Sequence, residues 1–233
     1  KSKAEKKNSR RIDISLSEPI DFTSISKQTY VITDSLKTKS YEILESYPFL
    51  VDSARIGLIL KDNLDKELNY LSFGEEMLLS DTLNQKVELN EDRIKIKNKK
   101  EYSPAKLEYS SIFPEDSSKR VDPRENIRLV SNYPIELDSN TLIQVFDMKD
   151  TILIDIDITQ KYSNFISIKS KADLKNDNTY LVKIFGINPK YDFIETISDT
   201  TFISFETDDL RNYSDVSGVI NSLPKIPGNW YLL

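Results

Sequence analysis

Carboxylates are the residues of this chain best placed to do chemistry. Asp208-Asp209 follows an alternating apolar stretch, and Asp116 and Asp122 sit in turn-rich sequence upstream. Carboxylate oxygens are hard ligands of the kind Ca²⁺ takes, and a junction between β modules is where such an ion would stiffen the chain. These four aspartates are the candidate metal ligands, and Ca²⁺ is the one cofactor they could hold. Asp155 and Asp157 lie two apart on a predicted strand and so share one face, where they could form a carboxylate pair or an oxygen site. The simpler reading makes that face the solvent side of a strand whose Ile154, Ile156 and Ile158 point inward, since no third or fourth ligand follows at a fixed spacing. Ser24-Ile25-Ser26-Lys27, Ser35-Leu36-Lys37 and Ser167-Ile168-Lys169 bring Ser near Lys only in predicted loops or at a strand end, outside any strand-to-helix nucleophile context. No catalytic residue is assigned.

What is missing narrows the chemistry further. The 233 residues include neither cysteine nor histidine. Disulfides, thiolate metal sites and cysteine nucleophiles are thereby excluded, as is any mechanism resting on an imidazole base. Thirty-two basic against 38 acidic residues give a net charge of -6, with no bias towards nucleic acid. No run approaches the length of a membrane span. The chain carries no signal peptide and starts at Lys1 without a methionine, which points to a mature or trimmed product, with any targeting signal or lipid anchor outside this stretch. Twelve tyrosines and 10 phenylalanines could supply a sugar-stacking platform, with Tyr41, Tyr47, Tyr102 and Tyr109 as candidates, although core packing explains most of them more simply.

The elements that would position these residues are short strands. Lys1 to Arg11 is basic without an apolar period and reads as a solvated tail. Ile12–Leu16 alternates and runs through Pro19 into Asp21. Tyr30-Val31-Ile32, Arg55–Leu60, Leu68–Phe73 and the closing alternation of Asp92–Lys97 follow as strands, with Gly74–Leu83 read as a loop. Asn98–Pro104 is polar and ends in proline, the best boundary in the chain. Beyond it Leu107–Ser110, Asn126–Val130, Thr141–Phe146, Thr151–Ile158, Phe165–Lys169, Tyr180–Phe185 and Thr201–Glu206 form a second series. Turn-punctuated strands at this spacing predict an all-β chain of antiparallel sandwiches. Glycine is scarce, five in all, so Asn and Asp are expected to supply the positive-φ turns.

The two series align. Pro19 and Pro134 lie 115 apart, Tyr70 and Tyr180 lie 110 apart, and Phe73-Gly74 precedes Phe185-Gly186 by 112. We read residues 12–103 and 104–209 as tandem β modules, 1–11 as the tail, and 210–233 as the start of a further β module or an extension, with Tyr213–Ile220 as its first strand. Trp230-Tyr231-Leu232-Leu233 ends the sequence within an apolar run, as a cut through a third module would.

These motifs, in order, resemble the bacterial immunoglobulin-like domain of S-layer type that occurs in tandem in Bacteroidetes envelope lipoproteins. Ile112-Phe113-Pro114-Glu115-Asp116 with Ile127–Ile135, and Ile14–Asp21 in the first copy, match its opening. Asn176–Gly186 and Leu64–Gly74 match its central strand, and Phe202–Thr207 its last. Tyr213–Ile220 looks like the start of a carboxypeptidase-regulatory-like module. Asn132-Tyr133 stands where the family usually has Ser-Glu. The resemblance implies an exported, periplasmic or surface location, a structural or docking role toward an envelope protein, and no catalytic residues. A carbohydrate-binding accessory role in glycan uptake is the alternative.

Overall fold

The computed structural model describes residues 2–26, 29–65, 68–74, 79–83, 85, 87, 93–98, 104–197 and 199–212. Tyr102, the predicted strand Tyr213–Ile220 and the run Trp230–Leu233 lie outside the described residues, as do 99–103 of the predicted boundary. Among the described residues regular structure is β apart from short 3₁₀ turns such as Phe22–Ser24, and no helix is long and apolar enough to cross a membrane.

The first unit holds β1 (Lys3–Asn8), β2 (Arg11–Ser15), β3 (Tyr30–Asp34), β4 (Ser40–Tyr41), β5 (Ile43–Pro48), β6 (Arg55–Leu60), β7 (Asn69–Phe73) and β8 (Ile94–Lys97). They form one sheet in the order β4-β3-β7-β8-β1-β2-β6-β5. Period-two alternation sends Ile12, Ile14, Ile56, Leu58, Ile32, Leu71, Ile94 and Ile96 into one core cluster. Residues from both ends of the sheet meet there, so the sheet is folded over on itself as a sandwich.

The second unit holds β9 (Tyr109–Phe113), β10 (Ser118–Val121), β11 (Ile127–Ser131), β12 (Ile135–Glu136), β13 (Leu142–Asp147), β14 (Ile152–Ile154), β15 (Ile156–Tyr162), β16 (Phe165–Ser170), β17 (Thr179–Phe185), β18 (Asn188–Pro189) and β19 (Thr201–Thr207). The sheet β10-β19-β17-β13-β14 packs on β15-β16-β11-β9 through Tyr180, Phe205, Val145, Leu129 and Ile166, with β12-β18 as a small ribbon. This is the immunoglobulin-like order of strands.

The repeat is visible as topology. β4-β3-β7-β8-β1 repeats as β14-β13-β17-β19-β10, and β2-β6-β5 repeats as β11-β16-β15. In each unit the last strand takes a parallel partner, β8 with β1 and β19 with β10. The offset inferred from Pro19 and Pro134 matches β2 and β11, since Ile14 faces Ile56 as Leu129 faces Ile166. The offsets from Tyr70 and Phe73 do not. Asp34 pairs with Asn69 and Asp147 with Tyr180, so Tyr180 corresponds to Asn69, and Ile184 to Phe73. A slip of one residue exchanges the faces of a strand, so tyrosines that align in sequence point in opposite directions.

Four further expectations are corrected. Lys3–Asn8 is a strand and not a tail: it pairs antiparallel with β2 and parallel with β8. Its inward Lys6 is satisfied by donating to the Leu64 carbonyl at 2.8 Å, which a count of apolar residues cannot show. Ser118–Val121, to which the series of predicted strands assigns nothing, is the parallel strand β10. Thr151–Ile158 is not one strand, because the chain changes sheets at Asp155; Ile152, Leu153 and Ile158 are exposed, and Ile154 and Ile156 only flank the core. Positive φ falls on Lys37, Ser117, Arg120 and Thr151, with Asp177 the one Asp or Asn among the non-glycine residues described.

Asp34 and Asp147 end equivalent strands and accept from the amides of the turns that follow. Asp147 is buried, and Lys175 Nζ donates to it at 2.8 Å. That hydrogen bond first, with Asn178 and the turn amides of Asp150 and Lys149 after it, holds its pKa well below the usual carboxylate range. An aspartate depressed below its unfolded value of about 3.9 contributes stability above that pH, and the contribution is lost as pH falls towards the folded value. The urea midpoint should therefore drop as pH is lowered below about 4. Asp147→Asn should lower the neutral-pH midpoint and flatten that acid slope; an unchanged slope would remove Asp147 from the account.

Candidate functional site

The outer face of β2-β6-β5 holds a buried ion pair, Arg11 with Asp13. Inward residues of these strands fill the first core. The outward set is Arg11, Asp13, Glu45, Tyr47, Gly57 and Ile59, in register as Asp13–Gly57–Tyr47 and Arg11–Ile59–Glu45. An outward face normally meets water. Here Arg11, Asp13, Tyr47 and Ile59 are buried, and Tyr47 and Ile59 belong to the core cluster of the second unit. The strip is thus a middle layer shared by both sandwiches, and the joint between them is packed rather than tethered.

Arg11 is its centre. The guanidinium donates to both oxygens of Asp13 at 2.7 and 3.1 Å and to the Asn132 carbonyl at 2.9 Å. Its carbon lies 4.6 Å from the ring centroid of Tyr133 and 5.3 Å from that of Phe49. Burial alone would lower its pKa, but Tyr47 and the Asp13 carboxylate outweigh it and the net direction is up. The cation is permanent, so the planar fork and the stacking faces are used together. Arg55 adds a third donor to Asp13 at 3.1 Å and stacks on Phe49 at 4.6 Å.

The second unit meets this face with ordered turns. Asn132 is clamped by its own side chain, which accepts from the Glu108 amide at 2.9 Å and donates to the Lys106 carbonyl at 3.0 Å. Its backbone carbonyl is thereby aimed at the first unit, where Arg11 and the Tyr47 hydroxyl, at 3.0 Å, both donate to it. Asn8 donates to the Tyr133 hydroxyl at 2.5 Å, and Asn164 to the Pro48 carbonyl at 2.9 Å. Tyr191 and Lys190 donate to Glu45 at 2.7 and 2.9 Å. Burial first, then the neighbouring Glu45, pushes the Tyr191 hydroxyl pKa up.

The predicted site residues lie elsewhere. Asp122 is paired with Arg124 at 2.7 Å, Asp209 with Arg211 at 2.7 Å, and Asp116 accepts from the Ser204 amide at 2.8 Å. The Asp208 amide donates to the Val121 carbonyl, which places it beside Asp122. That pair sits by the start of β11, whose other end enters the joint, so it lies at the end of the second unit away from the first. Among the described residues no three acidic side chains lie close enough to hold a metal ion. Asp155 marks the change of sheet. Tyr47 is core and joint, Tyr41 is buried and donates to Asp65 at 2.9 Å, and Tyr109 is half-buried, so these three form no exposed platform.

No family model and no curated protein matches the chain. Among solved structures, the chain is similar to the S-layer protein SbsC at 14% identity over 89% of this chain and 25% of that one, with a TM-score of 0.38. It is similar to the titin tandem Ig domains A164-A165 at 10% identity over 90% and 99%, with a TM-score of 0.28. CopC from Methylosinus trichosporium OB3b is similar at 12% over 46% and 99%, with a TM-score of 0.34. These scores establish no kinship.

Gly57 makes the joint buildable. A Cβ there would lie 2.3 Å from the Tyr47 ring, which is buried and anchored through its hydroxyl to Asn132. Gly57→Ala should destabilise the chain by about 1–3 kcal/mol, the usual cost of overpacking. Urea unfolding measures this, and a loss below about 0.5 kcal/mol would show that Tyr47 can move aside.

Proposed function

We propose that this chain is a rigid, non-catalytic scaffold segment of an exported bacterial envelope protein, presenting its loops and sheet edges to a protein partner in a fixed orientation. The joint carries the reading. Tandem domains move relative to one another unless their interface is large and apolar, and here one strip of strands belongs to two cores. Buried Arg11, Asp13 and Tyr47 and half-buried Asn132 form one bonded set that crosses the joint through the Asn132 carbonyl, which favours structure over chemistry. The envelope location and the protein partner are supported by the order and doubling of the motifs described above.

The absence of cysteine makes rigidity directly measurable, because two introduced cysteines can be spin-labelled without background. Leu36 in the first unit is 79% exposed and Met148 in the second is 49% exposed, so Leu36→Cys and Met148→Cys should leave the fold intact. Pulsed electron resonance should give one narrow distance distribution. Arg11→Ala with Tyr133→Ala should broaden it while the chain as a whole keeps its strand signature in circular dichroism. A broad distribution in the parent chain would overturn the scaffold reading.

A further inference from the structure

A second feature arises beside the joint. The outer face of β15-β16-β11-β9 presents Tyr162, Phe165, Val130 and Ser111 in one row across all four strands, with Arg128 and Phe113 paired in the next. Over this face the first unit extends Phe22 and the turn Leu50-Val51, leaving an open cleft of about 540 Å³ between the units. Val130 points outward from its sheet yet is buried, which shows how closely the roof approaches. Clefts of a few hundred cubic ångströms at domain interfaces, apolar with a few placed polar groups, are the usual form of ligand sites.

The lining states the ligand chemistry. Phe22, Phe113, Tyr162 and Phe165 are half-buried: Phe22 and Phe113 pack on the two cores with one side and Phe22 meets Tyr162 edge-on, and all four leave ring surface to the cleft. Both charged residues of the lining are cations, Arg128 and Lys161, in a chain of net charge -6. Arg128 lies 4.4 Å over Phe113 and Lys161 5.4 Å over Tyr162, so each cation is held beside a ring. Glu125, 3.6 Å from Arg128, and Asp21, near Lys161, balance them from outside the lining. The floor is a sheet face and not a sheet edge, so it offers no unpaired backbone to an extended peptide. A ligand here presents a flat apolar face to the rings and a carboxylate to the cations.

We propose that this cleft binds an acidic oligosaccharide, whose sugar rings stack on the aromatic residues and whose uronate carboxylates pair with Arg128 and Lys161. It goes beyond the scaffold reading but rests on its packed joint, because Phe22, Leu50 and Val51 come from the first unit; absence of binding in a chain whose spin-label distance stays narrow would overturn the cleft and leave the scaffold standing.

Calorimetric titration of the full chain with a galacturonate oligomer tests this, with a neutral maltose oligomer and poly-glutamate alongside. The galacturonate oligomer should bind at one site per chain and weaken with salt. Phe113→Ala and Arg128→Gln should each weaken it on the order of tenfold, as loss of one stacking face or one charged hydrogen bond does. Val51 is 66% exposed at the lip, so Val51→Trp fills the entrance without disturbing a core and should abolish binding. Phe202→Ala, on an exposed face of the other sheet, should change nothing. Equal binding of the maltose oligomer, binding of poly-glutamate alone, insensitivity to Val51→Trp, or no binding of the galacturonate oligomer would each overturn the proposal.

Discussion

The structure depends on one strip of sheet being buried on both faces. A strand of a sandwich needs only an inward set of apolar residues, and water accepts almost anything on the other side. β2, β6 and β5 give up that freedom. Once Asp13 is taken out of water it must be matched, and Arg11 and Arg55 match it. Once Arg11 is buried its Nη1 also needs an oxygen, which the second unit supplies from Asn132. Replacing one partner of such a set leaves an unpaired charge in the interior, which is why the set behaves as a unit and ties the two sandwiches together.

That set also fixes details that look incidental. The Asn132 carbonyl faces the first unit because its side chain is bonded on both sides to the strand-entry segment at Lys106 and Glu108. Tyr47 can reach the same carbonyl because Gly57 leaves room beneath its ring. The lysine-rich strand β1 donates into the structure at Lys6 and Asn8 and is paired on both sides in the sheet. Each residue is ordinary in composition and is defined by a partner far away in sequence.

Inward alternation was legible in the sequence, and outward burial was not. Arg55–Leu60, Phe165–Lys169 and Tyr180–Phe185 read as strands because their apolar residues recur at the strand period. The doubling of the chain was legible for the same reason, although matching Tyr70 to Tyr180 joined an outward residue to an inward one. Lys3–Asn8 was misread because buried lysine and asparagine mimic a solvated tail. The joint left only a faint trace, Asn132-Tyr133 standing where Ser-Glu was expected. Of the tyrosines considered for a sugar platform, Tyr41 and Tyr47 lie in cores, since the strand period alone does not say which face is inward or which face a neighbouring unit will cover.

The two units share an order of strands but not a fate for the equivalent face. On β2-β6-β5 that face carries Asp13, Gly57 and Tyr47, and it is sealed by the second unit. On β11-β16-β15 the corresponding positions are Arg128, Ser167 and Thr159, and the face stays open enough to form a cleft. Gly57 and Tyr47 give a flat surface with one hydroxyl to satisfy, whereas Arg128 and Thr159 keep groups that water serves well. Inward residues therefore specify the sandwich, with the same order of strands in both copies. Outward residues decide what each sandwich packs against, and there the copies have diverged into one structural face and one accessible face.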